Sequence, residues 1–599
     1  MSSQSLYLSL PKVELGGQEA PPELVKDFLQ ITVEESLHLP AMFTIVVHNS
    51  YLPTSDKSEY QPWRHEKLFE IGKKVRIGFI ASTTQDPNFE EEEEGYLIDG
   101  EITAIEVHFN NKSEAPIIVR GYDRSHRLHR GRHNRSFLNN TDSDIVRKIV
   151  KEAGIEVGQI DESGEVYDYI FQENQTNMEF LRERAARIGF ELFIEDGKVN
   201  FRKPESQKSI ELKWLKEISS FSTRITSAEQ VSSVEVRGWD YTQKKLITET
   251  AKSEKVITDT GNKKGSDCSN KFNLNKPPKM IVVDKPVFSP KEAEVMAQAF
   301  CDELGGEFVY ADATAEGNPK IRPGRFVNLK DMGTRFSGKY YITETRHIYN
   351  QRVYTTEFSV RGLRAGNLFT SISQQKRLQP GETFLVGIVT NNQDPEGLGR
   401  VKVKFPTLTE EHESYWARVV GVGAGSSRGF YCLPEINDEV LVGFEHGDIH
   451  RPYIIGGVWN GKDKTPEDIN DTVQGGKVRL RTIKTRTGHT IEFVEESKAL
   501  SKVGIKVETA AGHKLHLNDS DGCVEIQTNG GHKMRLDDTL KKIELKTTIG
   551  HEIKMADLGP LGPTLSISSM GNLVFKANTA IFTSRPILPI PPTVPPGFP

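Results

Sequence analysis

The chain has 599 residues, 27% of them charged and 36% hydrophobic, with a mean hydropathy of −0.48. No run approaches the ~20 apolar residues of a spanning helix, which excludes stable membrane insertion, and core formers occur throughout, which excludes wholesale disorder. A net charge of −6 offers no global basicity for nucleic acid, and the four cysteines, Cys268, Cys301, Cys432 and Cys523, form no C-x-x-C pair.

The N-terminus lacks the charged start and apolar core of a signal peptide, which predicts cytoplasmic synthesis without that export route. Residues 1 to about 375 mix strands with capped helices. Strand signals lie at Val75–Ile80, Ile102–Phe109 and Ile117–Val119. The spacing predicts a helix over Asp142–Ala153, with apolar residues at 145, 146, 149, 150 and 153 and a stop at Gly154. Thr176 and Glu179 form a capping box that opens a second helix ending near Gly189. Ser289 and Glu292 form another, with Pro290 at the first helical position and Gly305 expected after the last. This first half reads as α+β.

From Thr383 to about Asn460 the pattern changes to short strands without helix, at Leu385–Thr390, Gly399–Phe405, Tyr415–Val420 and Glu439–Glu445. A run of this kind suits a small closed barrel, the OB fold being the commonest choice.

A repeat follows. Gly488-His489 returns as Gly512-His513, Gly531-His532 and Gly550-His551, at spacings of 24, 19 and 19 residues. Each pair opens a short strand with alternating apolar residues: Leu515 and Leu517, Met534 and Leu536, Ile553 and Met555. Further strands, Ile505–Val507, Val524–Ile526 and Ile543–Leu545, lie between them. Such strands bury one face only, and isolated hairpins are marginal in water. Either one chain coils into a solenoid or several chains wrap the apolar faces around a shared axis; the periodicity fits both. Arg585–Pro599 then holds seven prolines in fifteen residues, an extended, polyproline-like tail.

Several stretches imitate chemical sites. Gly425-Ser426-Ser427-Arg428-Gly429 spells G-x-S-x-G, but a strand-like run, Phe430–Pro434, stands where a nucleophile elbow needs a helix. Gly456–Lys462 nearly spells a phosphate loop, yet Asp463 replaces its Ser or Thr. The Gly-His imidazoles spread along a repeat instead of converging on a metal. Arg120–Arg135 holds six Arg and three His and reads as an intersubunit or solvated surface; Glu90–Glu94 reads as a solvated loop. Glu411 and Glu413 are too weak a pair for a glycosidase. No catalytic residue, metal site or cofactor is therefore assigned, and the chain is read as not an enzyme. A β-helix polysaccharide-degrading enzyme would need a charged cleft, and an adhesin would need neither the first-half motifs nor a barrel.

Motifs across nearly the whole chain resemble the VgrG-type spike of contractile injection systems, counterpart of the tailed-phage baseplate hub and spike. They are Val119–Arg130, Thr141–Val146, Gln172–Ala185, Val234–Asp240, Phe336–Thr343, Asp394–Val403, Pro434–Val440 and Gly456–Gly461. The resemblance implies a mainly β protein with an α+β hub at 1–375, built of tandem related β-barrel subdomains with inserted helices. It further implies an OB-fold barrel at 380–465, a C-terminal trimeric intertwined β-helix needle at 470–583 and a Pro-rich tail at 584–599. In such a homotrimer Leu515, Leu517, Met534, Leu536, Ile553 and Met555 form the needle core.

The implied function is mechanical: the spike joins a sixfold tube and baseplate to a threefold needle, and contraction drives it through an envelope to deliver effector cargo. The implied partners are inner-tube and baseplate hub proteins and a PAAR-like tip protein. The tip contact is expected at Ile581 and Phe582, with Pro586, Ile587, Leu588, Ile590 and Phe598 of the tail as further anchors. The chain shows neither a lysozyme insert nor a C-terminal effector domain, and its needle is short, about 110 residues. In these respects it looks most like an extracellular phage-tail-like particle.

Overall fold

Alternating apolar residues in the first 360 positions build one large antiparallel sheet with smaller sheets beside it, because each strand can bury one face and hydrogen-bond both edges. In this computed structural model the described residues are 7–37, 39–49, 64–83, 93–109, 115–205, 209–255, 258–261, 264–272, 275–362, 382–498, 501–559, 562–574, 576 and 579. The chain divides into two compact units, Met1–Lys462 and Asp463–Pro599. Both are mainly β.

The main sheet of the first unit has eleven strands. Strands between Tyr7 and Asp123 form one half; Ile218–Ile225, Val309–Glu316, Glu344–Asn350 and Val353–Val360 form the other. The halves meet where Phe28–Ser36 pairs antiparallel with Glu344–Asn350, residues more than three hundred positions apart. Each half covers its own core. Phe43, Ile45, Ile77 and Phe79 are fully buried in the first, and Ile218, Val327, Leu329 and Tyr340 in the second.

Between the halves in sequence lie α1 (Asp142–Glu152) and α2 (Asn177–Ile188), packed on the strands Glu156–Ile160, Glu191–Glu195 and Lys198–Arg202. Both helices begin with capping boxes: Thr176 with Glu179, as read from the sequence, and Thr141 with Asp144, which the sequence reading did not name. α2 ends at Gly189 in the left-handed region, φ 70°. The third helix, α3 (Pro290–Gly306), opens at Ser289 as expected, but it runs through Gly305 instead of stopping before it. A Cβ on Gly305 would stand 2.5 Å from that of Glu254, so this glycine serves a close approach and not a helix end.

Other readings are also corrected. The strand expected to reach Phe109 ends at Val107. Of the acidic run, Glu93 and Glu94 belong to a strand, and Glu94 pairs with Lys12; Glu90 to Glu92 lie outside the described residues. The Arg120–Arg135 segment, read as an intersubunit or solvated surface, is exposed at His129, Arg130 and Arg132, but most of its arginines are paired. Arg120 pairs with Glu106, Arg124 with Asp99, Arg127 with Glu101, Arg132 with Glu179 and Arg135 with Glu152. Burial works against the Glu101 charge, but hydrogen bonds from Arg127 and His126 outweigh it and hold this carboxyl below its usual range.

Residues 385–457 form a five-stranded sheet in the order Lys402–Lys404, Leu385–Asn391, Glu439–Phe444, Pro452–Gly457, Arg418–Val419. Bridges Val401–Ala417 and Lys404–Glu413 bring the chain beside the last strand back against the first. Val389, Val401, Val403, Val440, Val442 and Ile454 are fully buried among them. The strand Pro452–Gly457 falls partly on the segment that imitates a phosphate loop, which is why the sequence reading passed over it. Phe430–Pro434 is not a strand.

The second unit is a ladder of nine strands between Leu480 and Ser568, each of five residues and hydrogen-bonded antiparallel to its neighbours in sequence. A single-chain solenoid is not what these strands make: sequence neighbours pair antiparallel as a meander, whereas successive solenoid coils would stack parallel strands.

Candidate functional site

Five-residue strands place residues two and four on one face, and pairing then stacks them. The register aligns Ile491, Val507, Leu515, Ile526, Met534, Leu545, Ile553 and Ile567 in one column. Phe493, Ile505, Leu517, Val524, Leu536, Ile543, Met555 and Leu565 form a second. All six residues expected in the needle core therefore share one face, three in each column. The sequence reading missed the last strand, Thr564–Ser568, because no Gly-His pair precedes it.

This face is open in the single chain. Leu536 is 37% exposed and Met555 49%, whereas Phe43 and Phe79 of the first unit are 0% exposed. Monomeric proteins rarely leave a continuous apolar strip of this kind uncovered. The opposite face is charged and paired: Lys506 lies between Glu492 and Glu508, Lys514 meets Glu508, and Arg535 meets Glu525 and Asp537. The hydrogen bond from Lys506 holds the Glu508 carboxyl below its usual range.

The Gly-His pairs close the turns along one edge. In each, the N–H of the threonine that follows the preceding strand donates to the histidine carbonyl, as from Thr485 N–H to His489 O at 2.9 Å and from Thr509 N–H to His513 O at 2.9 Å. The glycines stand at φ +97°, +88°, +87° and +92°, where a side chain would be strained. Three of the four imidazoles reach the next turn. Ala510 N–H donates to His489 Nδ1 and Asn529 N–H to His513 Nδ1, both at 3.2 Å, and Ser569 Oγ lies 2.9 Å from His551 Nδ1. The acceptors thus tie successive turns together. Among the described residues no group of three His, Cys, Asp or Glu is placed to hold a metal ion.

The remaining imitations have structural places. Ser427 sits at φ +53° in a turn closed between Gly425 and Arg428, and no helix follows. Glu413 accepts from Lys402 at 2.6 Å and Thr390 at 2.9 Å, which holds its carboxyl low; Glu411 lies in the exposed loop beside it. Ile581, Phe582, Pro586, Ile587, Leu588, Ile590 and Phe598 lie outside the described residues, with the whole Pro-rich tail.

A buried polar group escaped the sequence reading altogether. Arg322 donates to Glu35 Oε1 at 2.6 Å, to the Leu97 carbonyl at 2.7 Å and to Asp196 at 3.1 Å, joining the first half of the main sheet to the inserted helical region. Beside it, His347 meets the Ile321 carbonyl through Nε2 at 3.0 Å and the Tyr354 hydroxyl through Nδ1 at 2.8 Å. Burial and the Arg322 charge push this imidazole down to about 3, so it is neutral and donates from Nε2; Glu35, 3.9 Å away, does not form an ion pair with it. No local motif announces this group, since its members come from distant strands.

Two families match the chain: one described as the Alg8 N-terminal domain over residues 72–351, the other as the type VI secretion system/phage-baseplate injector OB domain over residues 385–459. The type VI secretion system spike protein VgrG1c of Pseudomonas aeruginosa is 34% identical over 116 residues, 18% of this chain and 16% of that protein. The actin cross-linking toxin VgrG1 of Vibrio cholerae is 32% identical over 155 residues, 24% of this chain and 14% of that protein. The match thus spans about a sixth of these curated relatives. Among solved structures, the Escherichia coli c3393 protein, described as a component of the type VI secretion system similar to phage T4 tail proteins, is 16% identical. That likeness covers 75% of this chain and 99% of that one, with a TM-score of 0.37.

Proposed function

We propose that this chain, whose sequence is of the VgrG spike type, is the structural spike of a contractile injection machine. In this reading it works as a homotrimer that joins a sixfold tube and baseplate to a threefold needle and is driven through a target envelope to deliver effectors. The observation that carries it is the open apolar ladder. Two columns of Ile, Leu, Val, Phe and Met face water along eight strands of one chain, and three copies wrapped around a common axis would cover them.

The ladder then becomes the intertwined β-helix needle, residues 385–457 the OB barrel, and the two halves of the main sheet the tandem hub barrels. The partners are inner-tube and baseplate proteins around the hub and a PAAR-like tip protein at the needle end, bound near Ile581 and Phe582 with the Pro-rich tail beside it. The spike acts mechanically and breaks no bond. Its setting is an extracellular phage-tail-like particle assembled in the cytoplasm.

Light scattering of the purified chain, followed by negative-stain imaging, tests this reading. The expected result is a trimeric tripod with one needle; a stable, monodisperse monomer would sink it. Truncation after Ser584 should leave the trimer intact while co-purification of the tip protein falls. Unchanged tip binding would remove the tail from the contact.

A further inference from the structure

Three segments singled out in the sequence, Val234–Asp240, Pro434–Val440 and Gly456–Gly461, converge on one buried carboxylate. Glu439 is 3% exposed. Its Oε1 accepts from the indole N–H of Trp239 at 3.0 Å, and its Oε2 accepts from the side-chain amide of Asn460 at 2.9 Å. Around it the backbones are also joined. Gly461 N–H donates to the Tyr241 carbonyl at 2.9 Å, Lys244 donates to the Asn437 carbonyl, and Arg237 reaches the Leu408 carbonyl at 2.6 Å. The approach leaves no room for a side chain: a Cβ on Gly461 would stand 1.5 Å from the Thr242 carbonyl oxygen.

The hairpin that supplies Trp239, formed by Ser233–Asp240 and Lys245–Ala251, is itself anchored in the hub. Val234, Val236 and Ile247 are buried against Ala293, Met296 and Ala297 of α3. Its turn reaches out to the barrel at two places, where Glu439 starts one strand and where the chain leaves the sheet after Gly457. Residues 460 and 461 lie directly before the boundary between the two units at Lys462. A covalent connection between hub and barrel also runs through residues 363–381.

We infer that the hairpin 233–251 is a thrust-bearing lock between hub and barrel, pinned at Glu439. The inference rests on the spike reading for its load but not for its geometry. A push on the hub passes through α3 and the hairpin directly to the barrel's exit corner. The pin suits this task because pulling the hairpin from the barrel would strip the buried Glu439 carboxylate of its Trp239 donor, at the desolvation cost of an unsatisfied charged group. Charged hydrogen bonds are short and directional, so the joint resists sliding as well as separation.

Hydrogen exchange on the intact, assembled protein tests the lock. Trp239→Phe removes one donor with little change of shape, and Glu439→Gln keeps the volume while removing the charge. Each should speed exchange about tenfold or more both in the hairpin 233–251 and in residues 437–461, the scale of a lost hydrogen bond to a charged group. The ladder 504–556 should be unchanged. The double variant should fall short of the sum of the two single ones, because both substitutions act on the same Trp239–Glu439 contact. Faster exchange confined to the element that carries the substitution, or additive effects, would overturn the lock. In particles, Glu439→Gln should lower cargo transfer about tenfold while the sheath still contracts; undiminished transfer would overturn the load-bearing role. If the wild-type protein is absent from particle tips, the spike reading fails while the exchange result stands, so the two failures are told apart.

Discussion

The hub and the ladder use the same material, alternating strands, and solve the same problem in opposite ways. In the hub, strands from both ends of a 360-residue stretch fold back on one another. Phe28–Ser36 finds Glu344–Asn350, and both cores close within the chain. In the ladder every strand pairs with its neighbours in sequence, and among the described residues the apolar columns stay exposed. Long-range pairing lets a chain bury its own faces; strictly local pairing makes a regular surface and leaves burial to another molecule. The hub is closed by its own chain, while the ladder keeps its apolar face open.

The largest effect expected from this contrast is at Leu536. In the trimer, Leu536→Asp would place three carboxylates near one axis, each costing several kcal/mol even after relaxation. Light scattering should show loss of the trimer while the hub keeps its own cooperative unfolding. A variant that remains trimeric would break the comparison, since the face would then not be a core.

A hub-specific response to acid comes next. His347 is neutral in the folded protein and held down to about 3, so unfolding takes up a proton. Its contribution is complete above the ordinary imidazole value of ~6.5 and is lost as the pH falls toward about 3, amounting to about 5 kcal/mol at the acid end. Urea midpoints recorded for the wild type and His347→Gln should differ in slope across that window, with the flatter curve for the variant. Parallel curves would show that the imidazole does not drive acid unfolding.

A smaller effect belongs to the ladder edge. His513→Ala removes the acceptor for Asn529 N–H, a loss of about 1 kcal/mol. Exchange at Asn529 should quicken while the apolar columns and the trimer persist; an unaltered Asn529 amide would mean that the imidazole does not tie the turns. The smallest effect is at Ser427. Because no helix follows its turn, Ser427→Ala should leave particle activity unchanged, and any ester or peptidoglycan hydrolysis abolished by that substitution would contradict a mechanical spike.

Local patterns in the sequence determined much of this protein. Thr141 and Thr176 set the starts of α1 and α2 because a cap needs only residues three positions apart. The Gly-His repeat set the ladder turns, since a glycine at positive φ followed by a strand is a local requirement. Alternation at Leu515 and Leu517, Met534 and Leu536, and Ile553 and Met555 set which face is apolar. Gly305 shows where local reading stops: as a helix-ending residue it was plausible, and only Glu254, fifty residues earlier and packed against it, explains why the helix continues. The same holds for the arginines of residues 120–135, which look free in sequence and find their carboxylates on distant strands and helices. Tertiary structure alone decided the pairing of the two sheet halves, the burial of Arg322 and His347, and the meeting of Trp239, Glu439 and Asn460. Each depends on which distant segments approach, and that is fixed by the summed packing of whole cores and not by any pattern within a few residues.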